Sequence, residues 1–172
     1  MEESMNKQIH TKHQYLQVGC KVITVSDTRT KENDKSGQLM IELLKQEKHS
    51  VLEYVIIKDD AQQIKREIIA GVQSDGIDCI LLNGGTGISP RDVTIEAIKP
   101  ILTKELYGFG ELFRMLSYTE DIGSSAILSR AIAGTIQNTV VFSTPGSTGA
   151  VRLAMNKLIL PELSHVVSEL HK

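Results

Sequence analysis

The sequence predicts an α/β protein: a mostly parallel sheet flanked by helices on both faces, in three α/β/α layers, with a possible small β-hairpin. Three observations predict it. Short β-branched apolar runs alternate with segments whose apolar residues recur at helical spacing. Connections between them are short, as βαβ units require. A length of 172 residues suits one domain of ordinary size.

Residues 20–25, from Cys20 to Val25, read as a buried strand, and residues 26–35 as a polar loop. Leu39, Met40, Leu43 and Leu44 then mark a helix. Residues 51–57 are β-branched and strand-like. Ile64, Ile68, Ile69 and Val72 form a second helical stripe closed by Gly76, and residues 77–82 form the third strand. The chain reads helical again from Thr94 to about Ile101. Tyr107, Phe109, Phe113 and Tyr118 concentrate four of the seven aromatics, as core or as a subunit interface. Residues 131–136 and 139–143 flank Gln137-Asn138, a hairpin or tight turn. A second glycine-rich loop at 144–149 leads into a helix carrying Val151, Leu158 and Ile159. Pro161 kinks that helix or starts another, along which Leu163, Val166, Val167 and Leu170 continue the apolar face.

Lysine and arginine number 19 and aspartate and glutamate 21, a net charge of 19 − 21 = −2, which argues against a general nucleic-acid binder. No apolar run approaches the ~20 residues needed to span a bilayer. Residues 1–17 are polar, include His10 and His13, and lack the apolar stretch of a secretory signal. They read as a tail or partner-binding arm ahead of a single domain at 18–172. Cys20 and Cys79 sit in apolar runs as buried reduced thiols, with neither zinc spacing nor a disulfide framework, which fits a cytoplasmic protein. His49, His165 and His171 are expected on helix or loop surfaces, and no histidine pairs with a nucleophile.

Right-handed crossovers would bring the loops at 26–35, 58–60 and 83–92 to one sheet edge, where ligands of open α/β sheets bind. Gly84, Gly85, Thr86 and Gly87 can turn successive N–H groups onto an anion. The loop lacks the lysine of a Walker A motif. Pro90 stands where a Rossmann fingerprint needs its third glycine. Asp92 either caps the following helix or does chemistry, by holding Mg²⁺ or taking a proton. Arg91 offsets its charge or is a solvated surface residue. Asp60 fits a capping box with Gln63, which leaves Asp59 as a functional or merely solvated carboxylate. Ser26 and Asp27 end the first strand. Asp34 and Gly37 flank Ser36, a candidate N-cap. Pro145, Gly146 and Ser147 form a second candidate cradle, with Ser147 also able to cap a helix.

Val25-Ser26-Asp27, Asp34-Lys35-Ser36-Gly37, Gly84-Gly85-Thr86-Gly87 with Arg91-Asp92-Val93-Thr94, and Pro145-Gly146-Ser147 occur in this order. Together they resemble the MoaB/MogA family of molybdenum cofactor biosynthesis proteins over residues 19–170. Residues 108–117 look like the MoaB branch. The resemblance implies an α/β fold that binds molybdopterin. In active members it implies adenylylation of the pterin by Mg²⁺-ATP with release of pyrophosphate, before a MoeA-type partner inserts molybdate. It implies a homotrimer or homohexamer. It maps the paired active-site aspartates onto Asp59 and Asp92, which are expected to position Mg²⁺. Substrate contacts would come from Ser26, Asp27, Asp34, Ser36, Gly37, Gly84 to Gly87, Arg91, Thr94 and Pro145 to Ser147. Two alternatives are a non-catalytic pterin-binding or scaffold protein and a CinA-like nucleotide pyrophosphatase, which prefers a second aspartate where this chain has Arg91.

Overall fold

The computed structural model describes residues 15–172. The expected tail, with His10 and His13, lies mostly outside the described residues. Its last three residues rest on the domain: Tyr15 stacks on His49, the Leu16 carbonyl accepts from Ser164, and Gln17 donates to Ser50.

Six strands form one sheet in the order β2-β1-β3-β6-β5-β4. These are β1 (Gly19–Val25), β2 (Ser50–Ile57), β3 (Cys79–Asn83), β4 (Lys104–Glu105), β5 (Ile132–Ile136) and β6 (Thr139–Thr144). β2, β1, β3 and β6 run parallel, while β5 pairs antiparallel with both β6 and β4. The expected tight turn joins β5 to β6, with Gln137 at φ 52°. The helices are α1 (Lys35–Gln46), α2 (Ala61–Gln73), α3 (Thr94–Ile98), α4 (Tyr107–Glu120), α5 (Thr148–Ala154) and α6 (Leu160–Leu170). Residues 148–170 stay helical without a break, passing through a π-helical turn at Met155–Ile159 just before Pro161, which lies in the first turn of α6.

Strand alternation builds the three layers. Cys20, Val22, Cys79, Leu81, Val140 and Phe142 face α1, α4, α5 and α6. Ile23, Val25, Ile80, Leu82 and Val141 face α2 and α3. Such two-sided burial explains why β1, β3 and β6 read as continuous apolar runs. Lys21 buries a charge on the α2 side. It is 1% exposed and satisfied by Glu53 at 2.9 Å and Glu67 at 3.1 Å.

Because α1 covers one face and α2 the other, the chain reverses direction across the sheet between β1 and β3. Ligand crevices open at such a switch point, beyond the carboxyl ends of the strands. The loops after β1, β2, β3 and β6 all emerge there.

Three expectations left open between alternatives are resolved and one, for His49, is corrected. Asp34, not Ser36, caps α1, its carboxylate accepting from Gly37 N–H at 3.0 Å. Asp92 does not cap α3: Val93 occupies that position without a side-chain bond. His49 is buried rather than on the surface, its Nδ1 accepting from Val18 N–H. Of the four clustered aromatics, Phe109 and Phe113 enter the core whereas Tyr107 and Tyr118 stay exposed. Asp60 does cap α2 by accepting from Gln63 N–H, although its own N–H goes to the Lys58 carbonyl.

Candidate functional site

A cavity of about 470 Å³ sits at the switch point. Gly84, Gly85, Thr86, Gly87 and Asp92 line it from the β3 loop, Ser26, Thr28 and Arg29 from the β1 loop, and Asp59 from the β2 loop. Pro145 and Gly146 close it from the β6 loop, and Ile122, Ser125, Leu128 and Ser129 add a partly apolar wall.

Backbone conformation explains the glycines. Gly84 has φ +97°, and a Cβ there would strike the Val25 carbonyl. Gly85 has φ +64°, and a Cβ there would stand 2.5 Å from Asp59 Oδ1 and collide with Thr94 Oγ1. Only glycine reaches these conformations without strain and lets the loop lie this close to Asp59.

The loop's carbonyls all point away from the cavity. Gly84 O accepts from Thr94 Oγ1 at 3.0 Å and Gly85 O from Thr94 N–H at 3.0 Å. Thr86 O accepts from Arg130 Nε at 3.0 Å and Gly87 O from Arg130 Nη2. A trans peptide holds its N–H opposite its C=O. The amides of Gly85, Thr86 and Gly87, which line the cavity, are therefore turned from these donors, and so is that of Ile88, which stands just outside the lining. Among the described residues none of the four meets a protein acceptor. Thr94, expected among the substrate contacts, lies fully buried behind the loop and holds it in place.

The four carboxylates sit in four different environments. Asp34 is fully buried and fully satisfied. Its Oδ2 accepts from Thr24 at 2.5 Å and Tyr54 at 2.6 Å, and its Oδ1 from Gly37 N–H and Arg29. Burial works to raise its pKa, but the Thr24, Tyr54 and Gly37 bonds and the Arg29 charge win and lower it. Asp27 pairs with Arg91 at the rim and accepts from Asp59 N–H at 3.3 Å. Asp59 is the exception. Its Oδ1 is sealed from solvent without a hydrogen-bond partner. Its pKa is raised, first by burial and then by Asp27 and Asp92, with Arg91 opposing. Asp92 accepts from Ser89 N–H at 3.0 Å, closing the turn that presents it.

Of the sequence-predicted residues, Ser26, Asp59, Gly84 to Gly87, Asp92, Pro145 and Gly146 meet around one cavity. Asp27 and Arg91 form its rim pair. Asp34, Ser36, Gly37 and Ser147 stand behind the lining. Ser36 donates to Gly146 O at 2.9 Å, and Ser147 caps α5 by accepting from Ala150 N–H. Two arginines were not foreseen. Arg29 donates to Gly146 O at 2.7 Å and Asn83 Oδ1 at 3.2 Å, tying the β1 and β6 loops together. Arg130 holds the β3 loop. Both act across long sequence separations, and no local pattern marks either.

Residues 21–165 match the molybdenum cofactor biosynthesis family, described as "Probable molybdopterin binding domain". The chain belongs to this family. Within it, molybdenum cofactor biosynthesis protein B of Bacillus subtilis is 65% identical over 155 residues, covering 90% of this chain and 91% of that protein. A crystal structure of a molybdenum cofactor biosynthesis protein B superposes with a TM-score of 0.89 at 63% identity, covering 91% of this chain and 97% of that one. The tungsten cofactor synthesizing protein MoaB from Pyrococcus furiosus gives 0.82 at 40% identity, covering 92% and 99%. These relatives agree with the MoaB branch expected from the sequence, and the work of the family lies in molybdenum cofactor biosynthesis.

Proposed function

We propose that the cavity binds molybdopterin and Mg²⁺-ATP and transfers AMP to the terminal phosphate of the pterin. A phosphate oxygen of the pterin attacks the α-phosphorus of ATP. The bond from that phosphorus to the bridging oxygen of the β-phosphate breaks, and pyrophosphate leaves with the electron pair. The reaction needs no protein nucleophile. It needs two anions held close and the developing charge offset.

One observation carries this reading: the sealed, unpartnered Asp59 Oδ1 shares a cavity with Asp92 and with the unpaired amides of the glycine loop. A buried polar atom without a partner calls for an occupant. Oxygen donors from two carboxylates suit a hard cation such as Mg²⁺, which is held by one or two carboxylates together with substrate phosphates. Asp59 and Asp92 would hold it, and it would neutralise charge on the phosphates. The amides of Gly85 to Ile88 bind one phosphate. Gly146, fixed through its carbonyl by Arg29 and Ser36, shapes the second anion subsite. Arg91 swings from Asp27 toward incoming phosphate, since it is 76% exposed and tethered at one point.

The adenylylated product would pass to a MoeA-type protein in the cytoplasm. An apolar face of Tyr107, Leu112, Met115 and Tyr118 on α4, continued by Ile122 and Ile127, supports assembly into a homotrimer or homohexamer. The deciding assay incubates the protein with molybdopterin, ATP and Mg²⁺ and follows pyrophosphate. Release that depends on the pterin is the expected result. Tight pterin binding without release would overturn catalysis and leave a carrier.

A further inference from the structure

Arg130 lies between the wall at 122–129 and β5, outside the cavity lining. Its guanidinium reaches three carbonyls of the glycine loop: Thr86 O at 3.0 Å, Gly87 O at 2.5 Å and Asp92 O at 3.2 Å. Glu96 on α3 holds the guanidinium from the other side through both carboxylate oxygens. A planar fork of fixed donors suits this task, whereas a lysine head could not meet three separated carbonyls in the same geometry.

The consequence follows from peptide planarity. Two of the four unpaired amides, Gly87 N–H in the lining and Ile88 N–H at its edge, belong to peptide groups whose carbonyls Arg130 holds. The third contact fixes the backbone of Asp92. Next along the chain from Arg130, Ser129 lines the opposite cavity wall, and its Oγ is buried without a partner. One side chain thus ties together donor direction, carboxylate position and the facing wall.

We propose that Arg130 is a positioning residue: it pre-orients the Gly87 and Ile88 amides toward a polyphosphate anion and sets Asp92 against it, without touching the ligand. The inference rests on the reading of the cavity as a phosphate site. Donors held in advance cost no reordering on binding, and their release is felt as lost affinity.

The test uses inorganic pyrophosphate as probe, with titration calorimetry on the full chain and thermal unfolding measured alongside. Arg130→Ala is expected to weaken pyrophosphate binding by about 10-fold or more, as loss of preorganised geometry does. Its unfolding temperature should fall, because three loop carbonyls lose a charged donor while the exposed Glu96 pair adds little, so binding is read well below the transition where the variant is folded. Added guanidinium should restore part of the affinity, and Arg130→Lys should fall between. Amide resonances of Gly87 and Ile88 should respond to pyrophosphate in the unsubstituted protein and lose that response in Arg130→Ala. A folded Arg130→Ala that binds pyrophosphate normally would overturn the proposal. If Arg130→Ala does not fold, Arg130→Lys decides, and undiminished affinity there overturns it. Failure of the unsubstituted protein to bind pyrophosphate would refute the phosphate reading itself, and this inference with it.

Discussion

Replacing Asp59 by Asn should make the protein more stable and less active. Asp59 Oδ1 is shut off from water and has no donor, while Asp27 and Asp92 press on the same charge. A buried unsatisfied acceptor costs roughly 1–3 kcal/mol, more when charged. Asparagine keeps the shape and the partnerless oxygen but removes the ionic part, so a gain of about 1 kcal/mol is expected. For a chain of this length that is a rise of about 2–4 °C in unfolding temperature. The pH dependence fixes the cause. The folded pKa lies above the ordinary 3.8, so the protonated form is favoured by folding and its stabilisation is lost as pH rises through the folded value. The advantage of Asp59→Asn should therefore be present at neutral pH and disappear below 3.8. Circular dichroism melts at matched protein concentration, at neutral and acid pH and with and without Mg²⁺, measure it. Pterin-dependent pyrophosphate release should fall in the same variant. An Asp59→Asn protein less stable than the original at neutral pH would sink the argument, since the carboxylate would then be structurally satisfied.

Other outcomes follow from the same geometry. Asp92→Asn should keep pterin binding and lose turnover, because the amide can still accept from Ser89 N–H but carries no charge for a cation; unchanged pyrophosphate release would reduce Asp92 to a turn residue. Gly85→Ala should cost about 2 kcal/mol or more in chemical denaturation, from a left-handed φ and the collision with Thr94 Oγ1. Asp34→Asn should cost about 3 kcal/mol at neutral pH by stripping charge from a buried network. The folded pKa of Asp34 is lowered, so its contribution is complete above 3.8 and is lost as pH falls through the folded value; the gap between the two proteins should close in acid. Met115→Glu should shift sedimentation toward smaller species if the exposed α4 face joins subunits.

The parallel half of the fold was legible because two-sided burial leaves a simple trace. β1, β3 and β6 are buried along their whole length and mostly apolar, and α1 and α2 repeat their apolar residues at helical spacing. β4 left none. Lys104 and Glu105 have no strand character and become extended by pairing with Thr135 and Gly134. Helix caps were legible as residue types but not always as positions. Asp34 and Ser36 both qualify to cap α1. The outcome turns on Thr24 and Tyr54, which make the Asp34 site a polar pocket and leave Ser36 free to reach Gly146. His49 was misread because a histidine between helix and strand gives no sign that Val18 N–H will need an acceptor.

The lining and the backing of the site were therefore not equally readable. Lining residues announce themselves, since glycines, aspartates and a proline cluster at strand ends for reasons that are local. Backing residues do not, because a carbonyl needing a donor looks like any other carbonyl in sequence. Arg130 reaches Thr86 across 44 residues, and Arg29, although it lines the cavity, was missed for the same reason, since it ties down Gly146 across 117. Arg130 replaces, with one planar cation, several backbone bonds that a regular element would have supplied internally, whereas Arg29 joins one carbonyl to the side chains of Asp34, Ser36 and Asn83. A loop built this way is rigid without being a helix or strand, and its amides remain unspent. Thr94 shows the same logic at closer range, with one residue securing two successive carbonyls. Substitutions behind the cavity should therefore disturb ligand binding as strongly as substitutions within it, and Arg130 is where that equivalence can be measured.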